Sequence, residues 1–539
     1  MKIVRVFVLI SVLFLSACVA RPQPEPSLIV MISIDQMRPD RLNGSLPGGL
    51  GRLMRDGFVF TSATLDHGLT NTCPGHVVMS TGVNPARAGI AGNSYIDHET
   101  GGERYCVDDP GTDNTVLGTT ETRSPNAITA GTIGDWLKKK SRSSKVFAVS
   151  AKDRAAITMA GKRGDGVFWF HRGTGRFTTS RYYGNRLPDY VADFNGNSFF
   201  EDGFGASIPE RWLHRGGSYR PDDFQGEMTK NLRVSGHPLN TGEQRASQVY
   251  YSPYIDLATG ELARRMLEAE RLGQRGVTDL LAVSFSATDT VGHYYGPFSA
   301  ESEDGLRRLD EEVGRFLDAL DQAVPGNYLL VMSADHGVQP LPEWLTDQGQ
   351  MNCPAAGGRT ELTALGRSVI GFLIAELGIP AEQAVRLLGF SAAGITINAN
   401  TAKALGLDVD TVRDALEAFL ESQPIIKAAW TELEINTGNS EFARLYRNSF
   451  VPGKSGHLIP QTHENCLVWF PEGTTHGSPW LYDRAIPLVF YGRGVKKGVS
   501  GGRAHSVDIA PTLGAMLGLS FPDDLDGQIR SEILAGGAL

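Results

Sequence analysis

The sequence predicts an α/β fold: a central, mostly parallel sheet with helices on both faces and inserted cap regions. Two observations carry this. Five short apolar runs, at 27–35, 145–153, 279–289, 327–336 and 486–492, have the length and continuity of strands buried on both faces. Between them lie segments whose apolar residues recur at helical spacing, and strand–helix–strand alternation is the pattern of an open sheet covered on both sides. Composition agrees. Of 539 residues, 41% are hydrophobic and 9% aromatic, which excludes a disordered chain. Gly (63) and Pro (28) together make 91 positions, too few for a low-complexity protein. The net charge, 51 − 60 = −9, argues against binding through phosphate neutralisation, so no nucleic-acid partner is expected.

Residues 1–17 place Lys2 and Arg5 ahead of an apolar run from Val6 to Leu15, too short to span a bilayer and typical of an export signal. Leu15-Ser16-Ala17-Cys18 resembles a bacterial lipobox, so Cys18 is the expected lipid attachment point, with cleavage after Ala20 as the alternative. Residues 18–26 then form a Pro-rich, lipid-anchored tether. The expected location is periplasmic or outer-membrane-anchored, in a Gram-negative bacterium, with membrane contact only through the N-terminal lipid. Removing residues 1–17 takes away Lys2 and Arg5, leaving −9 − 2 = −11. Of the five Cys, four remain beyond Cys18, at 73, 106, 353 and 466. An even number suits an oxidising compartment. Cys73–Cys106 with Cys353–Cys466 is one of three possible pairings, and the sequence does not choose.

Helices are expected at about 257–272 and at 306–324, the latter with Leu306, Leu309, Val313, Phe316, Leu317 and Leu320 on one face. Residues 160–255, rich in Gly, Arg, Tyr, Trp and Asn without clean periodicity, read as an irregular insertion. Residues 338–470 read as a second insertion, a cap containing GITINAN (394–400), a helix at 411–422 and IIKAAWTEL (425–433). The Trp and Tyr residues at 168–183 and 212–219 fit packing better than a pocket mouth. His457 and His463 fall in the cap, where packing and substrate contact both stay open.

The strand ends carry the chemistry. SLIVMISID ends at Asp35. KVFAVSAKD brings Lys152, with Arg154 just beyond. DLLAVSFSATD ends at Asp289, followed one helical turn later by His293, and NYLLVMSADH ends at Asp335 and His336. Ligands of open α/β sheets bind outside the carboxyl ends of the strands, so these groups converge on one rim. Carboxylates with imidazoles suit zinc or a similar divalent ion. A strand-terminal Asp is by itself more often a helix cap than a ligand; it is the coincidence at successive strands that points to a site. In Leu69-Thr-Asn-Thr72-Cys-Pro-Gly-His76, Pro74 fits a first helical turn and places Thr72 at the N-cap, where the helix dipole favours an alkoxide or a phosphate. A hydroxyl needs a metal to act as a nucleophile at ambient pH. Cys73 is the rival nucleophile, without an evident base. His76 and His505 read as packing or capping residues.

The segments TNTCPGH, GNSYID, SAKDRAA, SATDTVGH, SADHG and THGSPWLYDRAIPLVFYG, in this order, resemble the two-zinc bacterial alkaline phosphatases with a threonine nucleophile (Sphingomonas and Flavobacterium types). More distantly they resemble nucleotide pyrophosphatase/phosphodiesterases. The resemblance spans roughly residues 27–530. It implies the alkaline phosphatase superfamily fold, with one catalytic domain over 27–539 enlarged by the two insertions. It also implies two Zn²⁺, one held by Asp289, His293 and His476, the other by Asp35, Asp335, His336 and the Thr72 oxygen. Asn93, Lys152 and Arg154 would contact phosphoryl oxygens. The implied activity is hydrolysis of small phosphate monoesters through a phosphothreonine, with a phosphodiesterase or nucleotide pyrophosphatase as the alternative. The Lys152–Arg154 pair favours the doubly charged monoester. A sulfatase is disfavoured because Cys73 is followed directly by Pro74.

Overall fold

The computed structural model describes residues 25–216, 223–228, 237–239 and 244–535. The signal segment 1–17, Cys18 and residues 19–24 of the tether lie outside the described residues. Among the described residues nine strands form the central sheet: β1 Leu28–Ile34, β2 Phe58–Thr64, β3 Val146–Ser150, β4 Gly166–His171, β5 Arg176–Thr178, β6 Asp279–Phe285, β7 Tyr328–Ser333, β8 Leu488–Gly492 and β9 Gly498–His505. Their order across the sheet is β9-β2-β8-β7-β1-β6-β3-β4-β5. β1 lies parallel to β6 on one side and β7 on the other, and β3 and β4 continue in the same direction. Every residue of β1, β3, β6 and β7 is buried, as their unbroken apolar runs require.

Two expectations are corrected. The run 486–492 enters the sheet as β8, but antiparallel to both neighbours, β7 and β2. An apolar run reports burial on both faces and carries no information on direction. Residues 160–255 are not all inserted outside the sheet, because they open with β4 and the edge strand β5, antiparallel to it. Phe170, Phe177, Phe194 and Phe199 pack ring against ring beside this edge, so these aromatics fill a core.

Five helices matter for the site: α1 Thr72–Thr81, α2 Asp153–Ala160, α3 Tyr254–Ala269, α4 Ala287–Tyr295 and α5 Ala300–Ala323. Leu306, Leu309, Val313, Phe316, Leu317 and Leu320 of α5 are all buried in the main core. The second insertion has a core of its own, built on Val369, Leu373, Val412, Leu416 and Leu420. Its antiparallel sheet runs Leu388–Ser391, Gly394–Ile397, Leu458–Thr462, Ile426–Thr431, flanked by helices Leu362–Leu377 and Val409–Glu421. The disulfides are Cys73–Cys106 and Cys353–Cys466. The first removes the Cys73 thiol as a nucleophile, and the second lies within the cap.

Candidate active site

All the strand-end groups meet on one rim. Asp35 directly follows β1, Lys152 follows β3, Asp289 and His293 stand one turn apart on α4, and Asp335 and His336 follow β7. His476 arrives from the loop before β8. Leu488, at the start of β8, pairs with Ser333, at the end of β7, so the reversal of β8 brings its entering end to the rim where the others leave.

Ligand-type atoms of Asp289, His293 and His476 lie within 4.8 Å of one another, as do those of Asp35, Asp289 and His336. His293 Nε2 is 3.2 Å and His476 Nε2 3.5 Å from Asp289 Oδ1. His336 Nε2 is 3.2 Å from Asp335 Oδ2 and 3.5 Å from Asp35 Oδ1. The rings of His336 and His476 stack at 3.5 Å, placing the two clusters side by side.

The three imidazoles share one arrangement. His293 Nδ1 is 2.8 Å from Thr474 O, His336 Nδ1 2.9 Å from Gly337 O, and His476 Nδ1 2.7 Å from Thr70 O. A carbonyl oxygen only accepts, so each Nδ1 donates and each Nε2 is the ring nitrogen that faces the carboxylates. That is how a metal-binding histidine is held. Asp35 Oδ1, Asp335 Oδ2 and His336 Nε2 are buried and make no hydrogen bond among the described residues, a cost that a bound cation relieves. The residues therefore fit divalent metal ions.

Electrostatics point the same way. Burial, then the adjacent Asp335, pushes the Asp35 carboxyl up to about 6 in spite of Lys152. Burial acts on Asp289 in the same sense, but His293 and Lys152 outweigh it and hold that carboxyl well below the usual range. Burial followed by the neighbouring His336 drives His476 down to about 3, keeping it neutral. Lys152 Nζ joins the clusters, 2.6 Å from Asp35 Oδ2 and 2.5 Å from Asp289 Oδ2.

Thr72 is the first residue of α1 and buried; the N-cap is Asn71, one residue earlier than expected. The helix-capping geometry is set by the extended backbone at residue 71, which the Pro74 signal located only to within a residue. Arg154 Nη2 lies 3.4 Å from Thr72 Oγ1, and Arg154 Nη1 is steadied by Tyr105 OH at 3.2 Å. Asn93 Oδ1 accepts from Cys73 N–H at 2.8 Å, leaving its amide NH₂ as the donor end.

Gln36, which sequence reasoning passed over, and His76, read there as a packing or capping residue, hold the site together. Gln36, with φ of 66°, donates its backbone N–H to Asp335 Oδ1 (3.1 Å) and its side-chain amide to Asp289 Oδ1 (2.8 Å), tying one carboxylate of each cluster. A Cβ on Gly292 would lie 1.9 Å from Gln36 Oε1, so the glycine before His293 makes room for this bridge. His76 engages both ring nitrogens, with Thr72 O and Ser284 Oγ, each at 2.9 Å, and its Nδ1 lies 3.2 Å from Asp335 Oδ2. A Cβ on Gly75 would lie 2.1 Å from Asp335 O, so α1 sits directly on the backbone of that carboxylate. Only the glycines in TNTCPGH and DTVGH hinted at this packing.

A cavity of about 740 Å³ opens from the rim toward the cap. Asn93, His293 and His476 line one side, and Leu365, Phe390 and Trp469 the other. The Trp469 indole stacks on the His293 ring at 5.8 Å. His457 and His463 do not line this cavity; His457 stacks on His98 at 4.6 Å, at the seam between cap and body.

Residues 29–431 match the family described as type I phosphodiesterase / nucleotide pyrophosphatase. The chain belongs to this family. Within the family it is similar along nearly its whole length to bacterial alkaline phosphatases. It is 30% identical to alkaline phosphatase PhoV of Synechococcus elongatus, covering 94% of this chain and 93% of the relative. It is also 30% identical to alkaline phosphatase PafA of Elizabethkingia meningoseptica, covering 95% of each. The crystal structure of PafA superposes with a TM-score of 0.85 at 28% identity, covering 95% of this chain and 99% of that one. A PafA variant changed at one threonine, one asparagine, one lysine and one arginine gives the same TM-score, 0.85, at 27% identity and 95% coverage of this chain. The fold is that of the alkaline phosphatase superfamily.

Proposed function

We propose that this chain is a metal-dependent phosphomonoesterase of the alkaline phosphatase type that works through a phosphothreonine at Thr72. The observation that carries the reading is the convergence of three carboxylates and three oriented imidazoles beside Thr72 and Arg154. The names of PhoV and PafA support it, and the four residue types altered in the PafA variant are those of Thr72, Asn93, Lys152 and Arg154.

Two ions, which we take to be zinc, would be held by Asp289, His293 and His476 and by Asp35, Asp335, His336 and the Thr72 oxygen, where they supply Lewis acidity and offset phosphoryl charge. Thr72 presents its hydroxyl at the start of α1, where unpaired backbone N–H groups favour an anion. Its Oγ1 attacks phosphorus in line; the Thr72–phosphorus bond forms as the bond to the leaving alcohol breaks. Water then attacks the phosphothreonine, releasing phosphate and returning a proton to Thr72. Arg154, held by Tyr105, offers a planar pair of donors to the phosphoryl oxygens, and Asn93 offers its amide. Lys152 adds a second positive charge, and two cations match the dianion of a monoester better than the single charge of a diester. The apolar cap wall of the cavity suits an organic alcohol as leaving group. The family description keeps phosphodiesterase as the second reading.

Hydrolysis of p-nitrophenyl phosphate against bis-p-nitrophenyl phosphate separates the two, with zinc added and after chelation. Faster monoester turnover that chelation abolishes is expected. Chelator-resistant turnover overturns the mechanism, and a diester rate far above the monoester rate promotes the second reading. We propose also that residues 1–17 direct export to the periplasm and that Cys18 carries lipid, supported by Lys2 and Arg5 ahead of the apolar run and by Leu15-Ser16-Ala17-Cys18. The intact mass of the membrane-extracted protein tests this.

A further inference from the structure

A second group of metal-ligating side chains lies beyond the C-terminal end of α4. The short strands Arg211–Trp212 and His237–Pro238 pair antiparallel, with Trp212 opposite His237. They dock on the first turns of α5, where Trp212 Nε1 donates to Asp304 Oδ2 at 2.7 Å and Arg215 N–H to Asp304 Oδ1 at 2.9 Å. Beside this anchor, Glu301 Oε1 lies 3.1 Å from His237 Nε2 and 3.8 Å from His214 Nε2. One donor atom from each of the three residues lies within 4.8 Å of the others. The side chains are buried, with 12%, 3% and 1% of the His214, His237 and Glu301 surfaces exposed.

The polar accounting inside the group does not close. His214 Nε2, His237 Nδ1 and Glu301 Oε2 are buried and make no hydrogen bond with the described residues. Around them stand the rings of Trp212 and Tyr295, within 5.4 Å of the imidazoles, which leave a carboxylate facing two imidazoles in an apolar pocket. Burial favours protonation of Glu301, but its hydrogen bond to His237 and the charge of His214 outweigh this and hold the carboxyl below its ordinary value. A buried ionised carboxylate whose second oxygen finds no partner among the described residues is costly unless metal-bound. Two imidazoles and one carboxylate form a donor set that takes zinc and similar divalent transition metals with a position left open.

We propose that His214, His237 and Glu301 bind one divalent transition-metal ion of the zinc class, fastening the paired strands Arg211–Trp212 and His237–Pro238 to the start of α5. The site shares no residue with the catalytic clusters, and its role is structural. Tyr295, the last residue of α4, packs on His237 at 5.2 Å, so the ion also steadies the helix that carries Asp289 and His293.

The test is metal content of the full chain, equilibrated with Zn²⁺, freed of excess and measured by plasma mass spectrometry. His214→Gln and His237→Gln are each expected to lose one zinc equivalent per chain relative to wild type, with p-nitrophenyl phosphate turnover within about twofold and a lower melting temperature in saturating zinc. Co²⁺ loading should show absorption bands in wild type that are missing in His214→Gln. Equal zinc content in wild type and His214→Gln overturns the proposal. So does loss of an equivalent accompanied by loss of turnover, which would assign the missing ion to the catalytic clusters. His214 is the most exposed of the three, so its variant keeps the test decisive if His237→Gln does not fold.

Discussion

The rim of the central sheet and the cap over it are built by different rules. On the rim Asp35, Lys152, Asp335 and His336 sit at strand ends and Thr72, Arg154 and Asp289 in first helical turns, and backbone carbonyls fix the three imidazoles. The cap has its own core and its own antiparallel sheet, and it offers the cavity mainly apolar walls such as Leu365 and Phe390. Under the proposed function chemistry and substrate enclosure are separated: the rim would set what bond is broken, and the cap would set what is attached to the phosphate. Substitutions on the rim should change turnover while leaving the fold intact. Those in the cap should change KM and stability while leaving the chemical step intact.

The sharpest division comes from Thr72→Ala, expected to lower kcat by at least about 10³-fold with an unchanged melting temperature. A variant that retains turnover would remove the nucleophile from the rim. Next, Arg154→Ala should reduce kcat/KM for monoesters by about 10²–10³-fold, the range found for loss of one charge-stabilising donor. Its effect on diesters should be smaller, and steady-state rates with both nitrophenyl esters compare them. Gln36→Ala should weaken metal retention or turnover by about 10–100-fold, as for other groups that orient metal ligands. Titration with a chelating indicator reads this directly.

Breaking the cap is expected to act differently. The Cys353–Cys466 bridge closes 113 residues of chain, and its double replacement by Ser should destabilise the cap by about 2–5 kcal/mol. Denaturant unfolding would then show an early cap transition while kcat at low temperature stays near wild type. The smallest effect concerns the seam. Burial, then the stacked His98 ring and Arg413, push His457 down to about 4, against the opposing Asp410. The unfolded chain takes up this proton near pH 6.5, so His457 contributes stability above that pH that is lost as pH falls from about 6.5 to about 4. Melting temperature across this window should fall less steeply in His457→Gln than in wild type.

Legibility followed burial. β1, β3, β6 and β7 could be read because a strand covered on both faces must be apolar throughout, and Asp35, Lys152, Asp289, Asp335 and His336 could be read because they end those runs. β9 escaped because its residues, GVSGGRAH, are largely exposed and rich in Gly. Strand ends did not reveal His476, and it came only through the family resemblance, because β8 enters the sheet at the rim where its neighbours leave. Gln36 left no sequence signal of its own, and His76 read only as a packing or capping residue. Each acts through partners far along the chain: Asp289 and Asp335 for Gln36, Ser284 and Asp335 for His76.

By itself the sequence determined the fold class, the strands that deliver the ligands, and the inventory of carboxylates, imidazoles and cations, since local apolarity and helical spacing are properties of neighbouring residues. The tertiary structure decided the direction of β8, the choice among three cysteine pairings, and the bridge of Gln36 across two clusters. It also brought His214 and His237 up to Glu301. All four depend on distances between segments remote in sequence, which only the folded chain sets.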